Sequence, residues 1–227
     1  MKRRLGPAIP TALLIGVAAG FAGCESIGWV TSGLAGPGKV KAVHRLTDRP
    51  TLVLVDDPHK RLDDPSLAGV VASNVAFGLK QNLAISADIV PPQQLSALAA
   101  ELGKDFALTP IDEIGRRLDA GQVIYILIQQ VRLQFSPGMY RPMAVVQVKV
   151  MDCEAATRLF PKPASIPDPT TPSPGYTIAV QMTHRDMGIA SRGMNAIIAR
   201  QLAESIGRDV SRLFYDWKKP EPGSKFD

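Results

Sequence analysis

Cysteine is nearly absent: Cys24 and Cys153 are the two in 227 residues, so one intramolecular disulfide is the most the fold could use. Histidine is almost as scarce. His44, His59 and His184 show none of the i,i+3 or i,i+4 pairing of helix-borne metal sites. No apolar run reaches the ~20 residues a helix needs to cross a bilayer. No Gly-x-Ser-x-Gly elbow surrounds Ser32, Ser86 or Ser191, which leaves no nucleophile context. Gly33, Gly36 and Gly38 precede any strand and lack a following Lys-Ser/Thr, so they are not a phosphate loop. No internal repeat is visible. The sequence therefore names no reaction, and no catalytic residue, metal or cofactor is expected from it.

What it does contain begins at residue 1. Lys2, Arg3 and Arg4 precede an apolar run of 12 residues, Ala12 to Gly23, the layout of a secretory signal peptide. Phe21-Ala22-Gly23-Cys24 resembles a bacterial lipobox, with Phe where Leu is usual. That resemblance implies that residues 1–23 are removed and that Cys24, the new amino terminus, carries thioether-linked diacylglycerol and a further acyl chain such as palmitate. The competing readings are an ordinary signal peptide cut elsewhere and an uncleaved anchor. Glu25 follows the cysteine. In the sorting rule of many Gram-negative bacteria Asp there means inner-membrane retention, so Glu implies the outer membrane, facing the periplasm.

Charge follows from the same cut. The formal +5 includes three basic residues of the signal; removing them leaves 23 basic against 21 acidic residues, a net +2. No run of Lys or Arg remains in the mature chain, which argues against nucleic-acid binding and against electrostatic attachment to a membrane. With Cys24 acylated, Cys153 has no partner in the chain. At the end of an apolar run it reads as a small buried hydrophobe, with an intermolecular disulfide as the alternative.

Residues 24–50, rich in glycine at Gly28, Gly33, Gly36 and Gly38, read as a flexible tether averaging roughly 25–30 Å end to end. A single domain is expected over 51–217 and a polar tail over 218–227. Thr51–Val55 is a first strand closed by Asp56-Asp57-Pro58. Ser66 can cap a helix whose apolar face is Leu67, Val70, Val71, Val75, Leu79 and Leu83. Ile85–Val90 reads as a second strand, followed by short helices around Leu95–Leu102 and Pro110–Leu118. Val123–Ile128 is apolar on both faces and predicts a strand covered on both sides. Val146, Val148 and Val150 alternate with polar residues, so a hairpin with one face toward water follows. Six prolines between Pro161 and Gly175 mark an extended loop. Tyr176–Met182 makes a third antiparallel strand. Met194 to Trp217 carries the spacing of a long amphipathic helix, ended by Pro220. The expected class is α+β: one mixed sheet of about five strands in the order β-α-β-α-α-β-β-β-α, covered by helices.

This element order resembles the soluble domain shared by the curli-secretion lipoproteins (CsgG), the activators of penicillin-binding proteins (LpoB) and the TolB amino-terminal domain. The residues that carry the likeness are the strand ending in Asp56-Asp57, the helix from Val70 to Leu83 and the lead-in Ala120-Gly121-Gln122-Val123-Ile124-Tyr125. The hairpin through Asp152-Cys153-Glu154-Ala155 completes it. The resemblance implies an envelope accessory domain and carries over no catalytic residue. The proline loop lacks the alternation of a membrane-spanning hairpin, which argues against a curli-type pore.

The candidate site is Asp56, Asp57 and His59, with Asp63 and Asp64 nearby, because ligands often bind after the carboxyl end of a strand. A polar turn explains the same residues. The function expected is a non-catalytic lipoprotein that binds another envelope macromolecule, a protein above all. A hydrolase or ligand-binding protein using Asp56–Asp64 and a self-assembling structural subunit are the alternatives. The oligomeric state stays open.

Overall fold

Two segments drive the architecture. Thr51–Asp56 (β2) and Gln122–Ser136 (β3) are rich in β-branched residues and pair in parallel, Leu52 against Val123 through Asp56 against Leu127. In a computed structural model describing residues 38–83, 88–136, 139–162, 174–182 and 194–219, these strands begin a five-stranded mixed sheet. Met139–Asp152 (β4) returns antiparallel to β3. The far edge of β4 is shared by Thr157–Phe160 (β5) at one end and Tyr176–Gln181 (β6) along the middle. A separate two-residue pairing joins Lys39–Val40 (β1) to Trp217–Lys218 (β7).

Helices cover the sheet unequally. Ser66–Asn82 (α1) and Met194–Ser211 (α4) lie on one face, over Val53, Ile124, Ile126, Ile128, Val146, Val148, Val150, Ile178 and Val180. Pro92–Leu102 (α2), a 3₁₀ turn at Gly103–Leu108 and Ile111–Arg117 (α3) cover the other face only where Leu52, Leu54 and Val123 need burying. Two-sided cover of β2 and β3, and a one-sided β4, match the α+β expectation and its hydrophobic pattern. Gly103, at φ +55, ends α2 in a left-handed conformation that glycine adopts without strain.

Several elements differ from expectation. Of the strand expected over Ile85–Val90, residues 84–87 lie outside the described set; at its end Ile89 makes a parallel bridge to Thr51, and Val90 is buried with Leu52, Leu54 and Leu98. The fifth strand of the sheet is β5, which the sequence reading passed over because its four residues are too short for periodicity to register. Ser66 does not cap α1. Pro65 holds the cap position, and the Asp64 carboxylate accepts from the Ser66 amide at 2.8 Å. Helix α4 stops six residues before Trp217. The amides of Leu213 and Phe214 donate three residues back, to Val210 and Ser211, tightening the chain into a turn that carries Trp217 to Val40. The signal segment, Cys24, the tether to residue 37, most of the proline loop, His184 and the tail from residue 220 lie outside the described residues.

Residues 38–50, assigned above to the tether, lie against the domain. Leu213 carbonyl accepts from the amides of Val43 and His44. The His44 ring stacks on Phe160 at 5.0 Å and meets Phe214 edge-on at 6.3 Å. Thr47 and Gln122 exchange two hydrogen bonds, Thr47 Oγ1 donating to Oε1 at 2.9 Å and Gln122 Nε2 donating to the Thr47 carbonyl at 2.8 Å. Arg49 donates to Asp152 at 2.9 Å. Glycine alone permits the adjoining contact: a Cβ on Gly121 would stand 2.9 Å from Arg49 Cβ.

The α1–α4 interface is equally tight. A Cβ on Gly207 would stand 2.5 Å from Asn74 Cβ and 2.7 Å from the Val71 carbonyl oxygen, and backbone cannot rotate away. Gly207→Ala should therefore lower stability by about 1–3 kcal/mol, read from a shift in the urea midpoint at unchanged slope.

Acid should loosen the segment from residue 38 to 50 in two steps. Burial lowers the His44 pKa from its ordinary 6.5, so folding favours the neutral ring and stability falls as pH drops below about 6.5. The Arg49 hydrogen bond, aided by the Ala155 and Glu154 amides, holds Asp152 at about 2 against an ordinary 3.8. Its contribution is complete above about pH 4 and is lost as pH falls toward 2. Denaturation midpoints taken from neutral pH downward should show both limbs, and His44→Phe should remove the upper one.

Candidate functional site

The sequence-predicted residues do meet on one turn, at the carboxyl end of β2. Asp56 is the last residue of that strand, and its Oδ2 accepts from the hydroxyl of Tyr125 on the neighbouring β3. Burial, then the Asp56 carboxylate, raise the Tyr125 pKa, so the phenol stays a donor at neutral pH. Asp57 faces the other way. Its two oxygens accept from the amides of Arg61 at 2.8 Å and Leu62 at 2.7 Å, closing a turn in which Lys60 sits at φ +49. That turn drops Leu62 into the core at 5% exposure. His59 is exposed at the tip of the turn.

Chemically, this arrangement holds backbone. Both Asp57 oxygens satisfy amides that the turn would otherwise leave bare, and Asp64 does the same for the start of α1. The Ser66 amide, as the first cause, lowers the Asp64 pKa. Among the described residues no three His, Cys, Asp or Glu side chains converge in a metal-binding group. Cys153 is buried at 1% exposure. Burial is the main reason its thiol is pushed up to about 11, which leaves almost no reactive thiolate at neutral pH. Its Sγ fills the space that Gly115 of α3 leaves, where a Cβ would come within 2.3 Å.

The surface that sequence reasoning missed is a groove of about 560 Å³ along the carboxyl-terminal halves of α1 and α4. Phe77 stands on its rim, 61% exposed, while Arg208, Ser211, Arg212, Tyr215 and Trp217 line it. The close approach at Gly78, where a Cβ would meet Ser211 Oγ at 2.4 Å, sets its floor. Arg212 lies 4.3 Å from the centre of the Trp217 ring and donates to Asp209 at 3.1 Å. Arg208 donates to Ser205 Oγ at 3.1 Å. Desolvation raises the Asp209 pKa, outweighing the opposite pull of Arg212 and Arg208. Exposed aromatic and arginine side chains around a concave surface are the composition enriched at protein–protein interfaces.

One signal for this groove was in the sequence. Phe77 falls off the Leu67–Leu83 apolar stripe of α1, so a helix that buries that stripe must leave the ring outside. A second, shallower cavity of about 460 Å³ lies between α1, α2 and α4, with Ser73, Asn74, Gln93, Ser96, Arg200 and Glu204 among its walls. Asp56, Asp57 and His59 line neither cavity.

Replacing Asp57 separates turn from site. Asp57→Ala should cost about 1 kcal/mol of stability, the typical loss of a side-chain cap on backbone amides. Asp57→Asn should recover part of it, because the amide oxygen still accepts. Thermal midpoints of both variants check this.

No protein-family model matches the chain, and no curated protein matches it. Solved structures similar to it include the lipoprotein GNA1162 of Neisseria meningitidis, at 10% identity and a TM-score of 0.41 over 69% of this chain and 97% of that one. The PelC dodecamer of Paraburkholderia phytofirmans aligns at 11% identity and 0.40, over 79% and 99%. The hypothetical protein CT253 of Chlamydia trachomatis aligns at 11% and 0.37, over 72% and 96%. Likeness at this level assigns neither family nor activity to the chain.

Proposed function

We propose that the chain is an envelope lipoprotein, held on the periplasmic side of a membrane by acyl chains on Cys24, whose domain binds another envelope protein and performs no chemistry of its own. The anchor reading is supported by the charged start, the 12-residue apolar run and the Ala22-Gly23-Cys24 junction. No described helix is long and apolar enough to cross a membrane, so the anchor would supply the attachment. Two or more acyl chains hold stably where one holds marginally.

The observation that carries the binding reading is the groove rimmed by Phe77. An apolar ring this exposed, beside two arginines and a tryptophan, fits a partner that inserts an apolar side chain flanked by carboxylates. Glu25 supports the outer membrane as the site of attachment.

A photoreactive amino acid at position 77 tests this in intact cells. The expected result is a discrete crosslinked protein of the outer-membrane fraction, absent when the same group stands at exposed Leu108 on the other side of the sheet. Cys24→Ser should abolish labelling by radioactive palmitate and remove the mature protein from that fraction. No adduct at position 77 overturns the binding surface, and palmitate labelling that survives Cys24→Ser overturns the anchor.

A further inference from the structure

The extended segment that opens the domain alternates in exposure. Lys39, Lys41, Val43 and Arg45 are exposed, while Val40, Ala42, His44 and Leu46 are half-buried. The inward set packs on the domain through the β1–β7 pair and the His44 stack, so the outward set forms one stripe. Antiparallel pairing then puts Lys218 directly opposite Lys39, and Lys219 follows, its amide donating to the Gly38 carbonyl at 3.3 Å.

Four exposed cations from the two ends of the domain, Lys39, Lys41, Arg45 and Lys218, thus gather on one surface. No run of them exists in the sequence, and the expectation that the mature chain lacks a basic cluster is corrected by the fold. Between residues 39 and 45 and between 216 and 219 there is one acidic residue, Asp216. It is only 23% exposed. It accepts from the Ala42 amide at 3.0 Å and lies 3.4 Å from Lys39 and 3.2 Å from Arg45. Its role is to fasten the stripe to the domain, and the cations it touches remain 65% and 71% exposed. Like charges directly opposed across strands, as Lys39 and Lys218 are, repel, and a surface of negative charge would relieve that repulsion.

We propose that this stripe is a membrane-contact surface that binds anionic phospholipid headgroups. The proposal rests on acylation of Cys24. Thirteen residues separate that cysteine from Gly38, so whatever path they take, the start of the stripe lies within about 50 Å of the anchor. The stripe is the first part of the domain that the anchor delivers to the bilayer. Individually weak attractions, acting within a Debye length of about 8 Å at physiological salt, then operate at the high effective concentration of a tethered group. Val43, 48% exposed between Lys41 and Arg45, adds an apolar contact at headgroup depth. The anchor holds the protein on the membrane, and the stripe sets which side of the domain faces it. That orientation would leave the Phe77 groove at the membrane's edge rather than free in the periplasm, because Asp216 and Lys218 of the stripe also line the groove.

The test uses the full lipidated chain carrying Val43→Cys. Acylation blocks Cys24 and burial shields Cys153, so a thiol-directed, polarity-sensitive dye reports position 43. The protein is reconstituted into phosphatidylcholine vesicles with or without about one third phosphatidylglycerol. The expected result is a blue-shifted, brighter emission on the anionic vesicles alone, reversed at roughly 0.5 M salt, where the Debye length shrinks several-fold. It should also be lost in Lys41→Glu/Lys218→Glu. Flotation of the same samples reports the anchor separately. A chain that floats while its dye stays aqueous on anionic vesicles overturns the stripe and leaves the anchor standing. An equal shift on neutral vesicles also overturns it, since lipid proximity then needs no charge. A chain that does not float overturns the lipidation of Cys24 and the proposal with it.

Discussion

The fold depends on a single buried amide. Gln122, fully buried at the start of β3, donates from Nε2 to the Thr47 carbonyl and to Thr51 Oγ1 at 2.8 and 2.9 Å, and accepts from Thr47 Oγ1. Three pieces of chain meet there: the incoming segment, the start of β2 and the start of β3. The Pro50 carbonyl reinforces the junction by accepting from the amides of Gly121 and Gln122. A buried amide left without partners would cost about 1–3 kcal/mol, so the three pieces are stable only together. That constraint makes residues 38–50 part of the domain, and it brings Arg49 to Asp152 at the far end of the β3–β4 hairpin.

A second constraint, steric in kind, shapes the surface. Helices α1 and α4 approach so closely at Gly207 and Gly78 that their apolar stripes are consumed in the core. Whatever those helices carry off-stripe must then be exposed. Phe77 and Arg208 are such residues, and the groove between them is the by-product of close packing. The turn at Asp56–His59 shows the opposite relation. There Asp57 satisfies backbone amides and Asp56 the Tyr125 hydroxyl, while His59 stays exposed at the tip.

Charge is distributed in a way composition conceals. A chain of formal net charge +5 over 227 residues looks electrostatically bland, yet pairing of β1 with β7 gathers four exposed cations beside one carboxylate. Asp216 is at once their counter-ion and their fastening, because the Ala42 amide, ahead of Lys39 and Arg45, keeps its pKa low.

The sequence by itself determined the features that follow from local chemistry: the strands over Thr51–Val55 and Val123–Ile128, the burial pattern of the hairpin and the core faces of α1 and α4. Periods of 2 and 3.6 residues report which side of an element is buried, and they were legible in Val146, Val148 and Val150 as in Leu67, Val71, Val75 and Leu79. Only the tertiary structure decided what depends on residues far apart. A four-residue β5 gains its place from β4, and α4 gives way to a turn that buries both Leu213 and Phe214. The docking of residues 38–50, the groove beside Phe77 and the basic stripe belong to this second class. Each arises from contacts that close across most of the chain, and no local periodicity records them.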